Sequence, residues 1–271
     1  MSPKTNLTVF CLTLGIFLPS SFGSVFGAEL PEQIVLRHLA TFPHDRGAFT
    51  QGLLWDDGFL YESAGQYGES SLRRVEPQTG KIMARADLPP RVFAEGLALV
   101  DDSLFQLTWQ ENVCFVVDKK TLQLKGQFQY PGEGWGLTYD GKQLIMSDGS
   151  PVLRFLNPKT FQPAHRITVT DSQNRRRVPV GHLNELEWVR GEIWANVWMT
   201  TRIARINPRS GNVIGWIEMA PYVPQEHRED TQDRVLNGIA FDPATNHVYI
   251  TGKNWNVMHQ FLLEVPEPEK K

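Results

Sequence analysis

The sequence is short of cysteine, of net charge and of long apolar runs, and each shortage removes a class of protein. Cys11 and Cys114 are the two cysteines of the 271 residues. Cys11 sits in the apolar N-terminal segment without the small residues that precede a lipid-modified cysteine. Cys114 lies in the strand-like run 113–117, where a buried, unreactive thiol is expected, so no disulfide framework forms within the mature chain. A formal net charge of −3 gives no electrostatic reason to bind nucleic acid. The histidines (His38, His44, His165, His182, His227, His247 and His259) show no ligand spacing, which argues against a zinc site. Residues 7–18 make an apolar stretch too short to span a bilayer. With one lysine before it and small residues near Gly27 and Ala28 after it, residues 1–27 read as a secretory signal. Residues 28–271 are then one exported domain, periplasmic or secreted, with no membrane attachment after signal removal. No segment carries a convincing helical period.

What the chain does have is a repeat. Five short apolar strands open on Thr50-Gln51-Gly52-Leu53, Ala94-Glu95-Gly96-Leu97, Gly134-Trp135-Gly136-Leu137, Leu183-Asn184-Glu185-Leu186 and Leu236-Asn237-Gly238-Ile239. The openings recur about every 40 to 53 residues, the period of a β-propeller. Four copies carry a later turn signature: Glu76-Pro-Gln-Thr-Gly80, Asp118-Lys-Lys-Thr-Leu122, Asn157-Pro-Lys-Thr-Phe161 and Asn207-Pro-Arg-Ser-Gly211. Such turns close hairpins through side-chain to backbone bonds. The prediction is all-β: a five-bladed propeller of four-stranded antiparallel blades. Residues 33–41 read as an outer strand without inner partners, and the last unit is one strand short. Pairing these ends closes the ring.

Antiparallel order places the start of each innermost strand beside the end of its second strand. Gln51, Glu95, Trp135, Asn184 and Asn237 therefore ring one mouth of the channel, together with Glu62, Trp109, Asp148, Trp198 and Lys253. Two polar insertions, 170–182 and 219–235, precede innermost strands and are candidate lids over that mouth. Indoles offer flat apolar walls and amides offer fixed hydrogen bonds; equally, inner-ring polar groups can satisfy one another and bound water. Trp55, Trp188 and Trp216 are expected to pack between blades.

The strings Phe49-Thr-Gln-Gly-Leu53, Leu60-Tyr-Glu-Ser63, Ala94-Glu-Gly-Leu97, Leu107-Thr-Trp109, Gly134-Trp-Gly-Leu137, Leu183-Asn-Glu-Leu-Glu187, Ala195-Asn-Val-Trp198, Leu236-Asn-Gly-Ile239 and Thr251-Gly-Lys253 with Trp255 resemble, in order, the plant and bacterial glutaminyl-peptide cyclotransferases. The resemblance implies a five-bladed propeller that converts N-terminal glutamine of peptides and proteins to pyroglutamate with release of ammonia, without catalytic metal. It places the catalytic set on Glu95, Lys253, Asn184 and Gln51, and substrate binding on Phe49, Trp109, Trp135 and Trp198. Ala94 departs from the plant pattern, which often has Met before the carboxylate.

From these groups, Glu95 is expected to carry a proton from the α-amine to the departing nitrogen. That role wants an acid weakened by its indole-lined surroundings. Lys253, Gln51 and Asn184 are expected around the developing oxyanion. No cofactor is needed for catalysis, a structural calcium in the channel is conceivable, and a monomer is the default for such a ring. Two rivals remain at this stage: a calcium-dependent lactonase-type hydrolase using Glu95, Asp148, Asn184 and Asn237, and a non-catalytic binding platform.

Overall fold

The computed structural model divides the chain into two units, Met1–Leu30 and Pro31–Lys271; it describes residues 33–173, 176–228 and 233–265. The expected export signal over residues 1–27 lies outside the described residues. Within the second unit, five four-stranded antiparallel sheets form the blades of a propeller. From the innermost strand outward, blade 1 is Thr50–Asp56, Phe59–Ala64, Ser71–Glu76 and Lys81–Asp87. Blade 2 is Ala94–Val100, Ser103–Thr108, Val113–Asp118 and Leu124–Gln129. Blade 3 is Leu137–Tyr139, Leu144–Met146, Val152–Leu156 and Pro163–Thr168, and blade 4 is Leu183–Val189, Glu192–Val197, Arg202–Ile206 and Val213–Glu218. Blade 5 takes Leu236–Asp242, His247–Gly252 and Val257–Glu264 from the C-terminal part, and its outermost strand, Val35–Pro43, from the N-terminal part. The two ends pair from Val35 opposite Glu264 to Pro43 opposite Val257, so the ring closes as the sequence predicts.

Innermost strands are buried almost throughout, whereas the outermost strand of blade 1 alternates between exposed and partly covered residues. The core is divided among the blade boundaries. Leu54, Leu72 and Leu97 join blades 1 and 2, Leu107 and Phe161 join 2 and 3, and Leu153 and Ile193 join 3 and 4. Trp194 and Phe261 join 4 and 5, and Leu60 and Tyr249 close the circle between 1 and 5. Buried apolar area therefore holds each blade to both neighbours. Cys114 belongs to this packing; burial pushes its thiol pKa well up, as expected of an unreactive residue. Trp55 stacks on Tyr249 at 5.0 Å, and Trp216 carries the Arg202 guanidinium at 4.5 Å.

The repeated opening motif has a steric cause. A Cβ at Gly52 would lie 2.5 Å from the backbone nitrogen of Leu97, and one at Gly96 would lie 2.5 Å from that of Leu137, because each innermost strand passes directly against the next. In four blades the register also shifts at the motif, between Thr50 and Gly52, Ala94 and Leu97, Leu183 and Leu186, and Leu236 and Ile239. Such bulges re-aim the extra residue, which here is Gln51, Glu95, Asn184 or Asn237. The outer turns close as the sequence indicates: the Asn157 carboxamide accepts from Lys159 N at 2.8 Å, and that of Asn207 from Arg209 N at 2.9 Å.

The two insertions differ from each other. The first is a hairpin, Thr170–Gln173 with Arg176–Pro179. It is tied to the outer strand of blade 4, where Thr170 bridges Asn212 and Asp171 accepts from Trp216 Nε1 at 3.2 Å. The second contains two short 3-10 turns, Ala220–Tyr222 and Gln225–His227. Among the described residues no helix is long and apolar enough to cross a membrane.

Candidate active site

Four of the five blades pin the entering link to the end of the second strand by one backbone bond, and in blade 3 Trp135 N donates to Ser147 O at 3.0 Å instead. Phe49 O accepts from Gly65 N, Phe93 O from Trp109 N, His182 O from Trp198 N and Val235 O from Lys253 N, at 2.8 to 2.9 Å. These bonds bring side chains from distant parts of the chain to one mouth. There they line a cleft of about 280 Å³ formed by Phe49, Gln51, Gln66, Phe93, Glu95, Trp109, Trp135, Asn184, Trp198, Asp233 and Lys253. All eight residues assigned to the site from the sequence are gathered in it.

Three residues expected at the mouth do not line this cleft. Glu62 is turned away into a buried cluster, accepting from Thr50 Oγ1 at 2.7 Å and lying 2.9 Å from His44 Nε2. Asp148 pairs with Arg154 at 3.3 Å. Asn237 stands behind the cleft, donating to Thr50 O at 2.9 Å and to Gln51 Oε1 at 3.2 Å.

Glu95 is 4 % exposed, and its pKa is pushed well above the usual carboxylate range. Burial is the main cause; the Lys253 charge works against it, and Glu133 and Glu111 add to it. Gln51 Nε2 donates to Glu95 Oε1 at 2.9 Å, so an amide donor expected at the oxyanion faces the carboxylate in this state. Lys253 is also buried, and its ammonium lies 4.7 Å from the centre of the Phe49 ring. Desolvation lowers its pKa to about 8, against the opposing pull of Glu95 and Asp233. Asn184 lines the cleft with its Oδ1 buried and without a hydrogen-bond partner. A buried acceptor left unpaired is costly, and a bound molecule offering an N–H would relieve it.

The apolar wall has two stretches. Phe93 meets Phe49 edge-on at 6.0 Å and Trp109 at 5.7 Å, and Trp135 meets Trp198 edge-on at 5.5 Å. His182 packs against Trp198 at 5.8 Å. A larger hollow of about 500 Å³ lies at the opposite mouth, around Leu54, Leu99, Tyr139 and Glu187. Burial raises the Glu187 pKa to about 8. Its lining also holds an acid, a cation and two indoles, Glu187, Arg190, Trp55 and Trp188, but none of the eight residues assigned from the sequence.

Among the described residues, no three His, Cys, Asp or Glu side chains cluster as a metal site. The channel acids Glu185 and Glu187 accept backbone N–H groups of Leu53, Ile239 and Phe241. A calcium ion there would compete with those amides for the same oxygens.

The family model for glutamine cyclotransferase matches residues 12–263, which includes every residue of this cleft. The chain belongs to the glutamine cyclotransferase family. A glutaminyl-peptide cyclotransferase of Arabidopsis thaliana is 38 % identical over 258 residues, covering 92 % of this chain and 78 % of the relative. The crystal structure of Myxococcus xanthus glutaminyl cyclase superposes with a TM-score of 0.78 at 33 % identity, covering 88 % of this chain and all of that one. Membership sets aside both rival readings of the ring.

Four residues of this cyclotransferase escaped the sequence reading. Phe93, Gln66 and Asp233 line the cleft from the links, and Glu133 stands behind Trp109 and Trp135. An acid two residues before an indole in the blade 3 opening is the sequence feature by which Glu133 could have been found.

Proposed function

We propose that this cyclotransferase closes the N-terminal glutamine of peptides and proteins into pyroglutamate, releasing ammonia, with Glu95 as the proton carrier. The observation that carries the reading is a buried carboxylate of raised pKa sharing an indole-walled cleft with a buried ammonium. In the reaction the α-amine attacks its own side-chain amide carbon. The new C–N bond forms a tetrahedral intermediate, and the amide nitrogen then leaves as ammonia. Because nucleophile and electrophile are tethered, the enzyme's first task is to hold the side chain folded back, which the indole and phenyl faces do.

The second task is proton transfer. Glu95, ionised, takes a proton from the attacking amine and delivers it to the departing nitrogen. Gln51, braced by Asn237, holds the carboxylate for that transfer. Lys253 supplies positive charge to the oxygen as it becomes an oxyanion, and the free Asn184 Oδ1 accepts an N–H of the substrate. We also assign residues 1–27 as an export signal and residues 28–271 as the catalytic domain, acting outside the cytoplasm as a monomer. Incubation of the purified protein with a peptide beginning in Gln, read by mass spectrometry, should show loss of one ammonia. A peptide beginning in Glu is the control, and an unchanged Gln-peptide rejects the reading.

A further inference from the structure

We propose that Glu133 is a positioning residue of the cleft, fixing two of its indole walls with a single carboxylate oxygen. Its Oε2 accepts from Trp109 Nε1 and from Trp135 Nε1, each at 2.9 Å, and its Oε1 accepts from Gln110 Nε2 at 3.0 Å. Trp109 belongs to blade 2 and Trp135 to the opening of blade 3, so one acceptor sets both rings across a blade boundary. Glu133 is itself held. Arg154 donates to its carbonyl oxygen at 2.8 Å and to that of Pro131 at 3.0 Å, while pairing with Asp148 at 3.3 Å. The wall continues from Trp135 edge-on to Trp198, so a displaced Glu133 would loosen all three indoles. Glu133 is not among the residues that line the cleft; it acts through the rings.

The clamp has an electrostatic counterpart. Burial works to raise the Glu133 pKa, but the bonds from Trp135, Gln110 and Trp109 outweigh it and leave the group more acidic than usual. Glu133 is therefore ionised in the working range, and with Glu111 it opposes ionisation of Glu95, while Lys253 favours it. The other titratable groups coupled to Glu95, Tyr67 and Tyr130, have raised pKa values and stay neutral there. Gln51 donates to Glu95 from the remaining side.

This inference rests on the cyclisation reading, and kcat, KM and tryptophan emission of Glu133→Ala and Glu133→Gln test it. Glu133→Ala is expected to lose about tenfold or more in kcat/KM, since loose walls no longer hold the near-attack geometry, and to change the indole emission. In Glu133→Gln the amide oxygen still accepts from the indoles. That variant should keep most of the activity, while the acid limb of its kcat profile moves to lower pH because Glu95 has lost a negative neighbour. Glu133→Ala within about twofold of wild type overturns the proposal. So does Glu133→Gln losing as much as Glu133→Ala with its acid limb unmoved, which would reduce Glu133 to packing. If Glu133→Ala does not fold, the limb and emission of Glu133→Gln decide. Should the wild type itself release no ammonia, the cyclisation reading fails, and the emission change still reports on the clamp.

Discussion

The two charged groups of the cleft shift each other's proton affinity, and the direction of each shift fixes how turnover responds to pH. Desolvation is the larger effect on both: it raises the Glu95 pKa and lowers that of Lys253 to about 8, with their mutual attraction opposing each change. Glu95 must be ionised to accept a proton, so kcat rises as pH passes its elevated pKa. Lys253 must be charged to stabilise an oxyanion, so kcat falls as pH passes about 8. Saturating peptide should therefore give a bell-shaped kcat profile. Lys253→Arg, which keeps its proton throughout, should move the alkaline limb upward; an unmoved limb assigns it to another group. Lys253→Ala should lower kcat by about a hundredfold with a smaller change in KM. Glu95→Gln removes the proton carrier while keeping its shape. It should retain the wild-type circular dichroism and lose about a thousandfold in kcat; a variant with most of its turnover would transfer the role elsewhere.

At the scale of the strand, the bulge that opens four of the innermost strands brings Gln51, Glu95 and Asn184 to the cleft. A methyl group at Gly96 would meet Leu137 N at 2.5 Å, Gly136 C at 2.6 Å and Trp135 O at 2.7 Å, all of them backbone atoms that cannot rotate away. Gly96→Ala should therefore cost about 1–3 kcal/mol of stability and also lower kcat by moving its neighbour Glu95. Urea denaturation and kinetics together check this; a stable, fully active Gly96→Ala enzyme would show the close approach to be dispensable. The periodic openings made the ring, its closure and seven of the eight assigned cleft residues legible in the sequence, because strand order fixes which ends share a mouth; Phe49, and the choice of those seven over Glu62, Asp148 and Asn237, came from the family resemblance. Side-chain direction near those ends was less legible. Glu62 pairs in register with Leu53, two residues short of the end of its strand at Ala64, and from there it turns toward His44 instead of the cleft. Phe93, Gln66 and Asp233 sit on connections whose path no periodicity specifies, and the paired strands 170–173 and 176–179 are fixed by bonds to blade 4 that only the folded chain brings within reach.

At the scale of the whole ring, the weakest point of any propeller is its seam, and here the chain crosses it on the link after the strand Val35–Pro43. The strand Val35–Pro43 completes blade 5, and the link that follows carries His44 into blade 1. His44 N bonds Asn256 O at 3.0 Å, its Nδ1 lies 2.8 Å from Trp255 O and 3.4 Å from Thr251 Oγ1, and its Nε2 lies 2.9 Å from Glu62 Oε1. Arg73 braces the same link through Asp45 at 2.9 Å and stands 3.9 Å from Glu62. Burial disfavours charge on both partners, but their attraction, with the surrounding bonds, prevails; the His44 pKa is raised and that of Glu62 lowered. The linkage then has a definite sign. The His44 contribution is complete below its unfolded pKa of about 6.5 and fades as pH rises through the higher folded value. The Glu62 contribution is present above its unfolded value and fades as pH falls through the lower folded one. The seam is tightest between those limits. Glu62→Gln leaves a buried imidazolium without its counter-charge and should cost about 3–5 kcal/mol near pH 6. His44→Gln removes the titrating group, so the stability difference between wild type and this variant should shrink as pH rises from about 6 to 9. Urea denaturation across that range decides: a pH-independent difference would mean that His44 closes the ring as a neutral hydrogen-bonding group, with no ion pair at the seam.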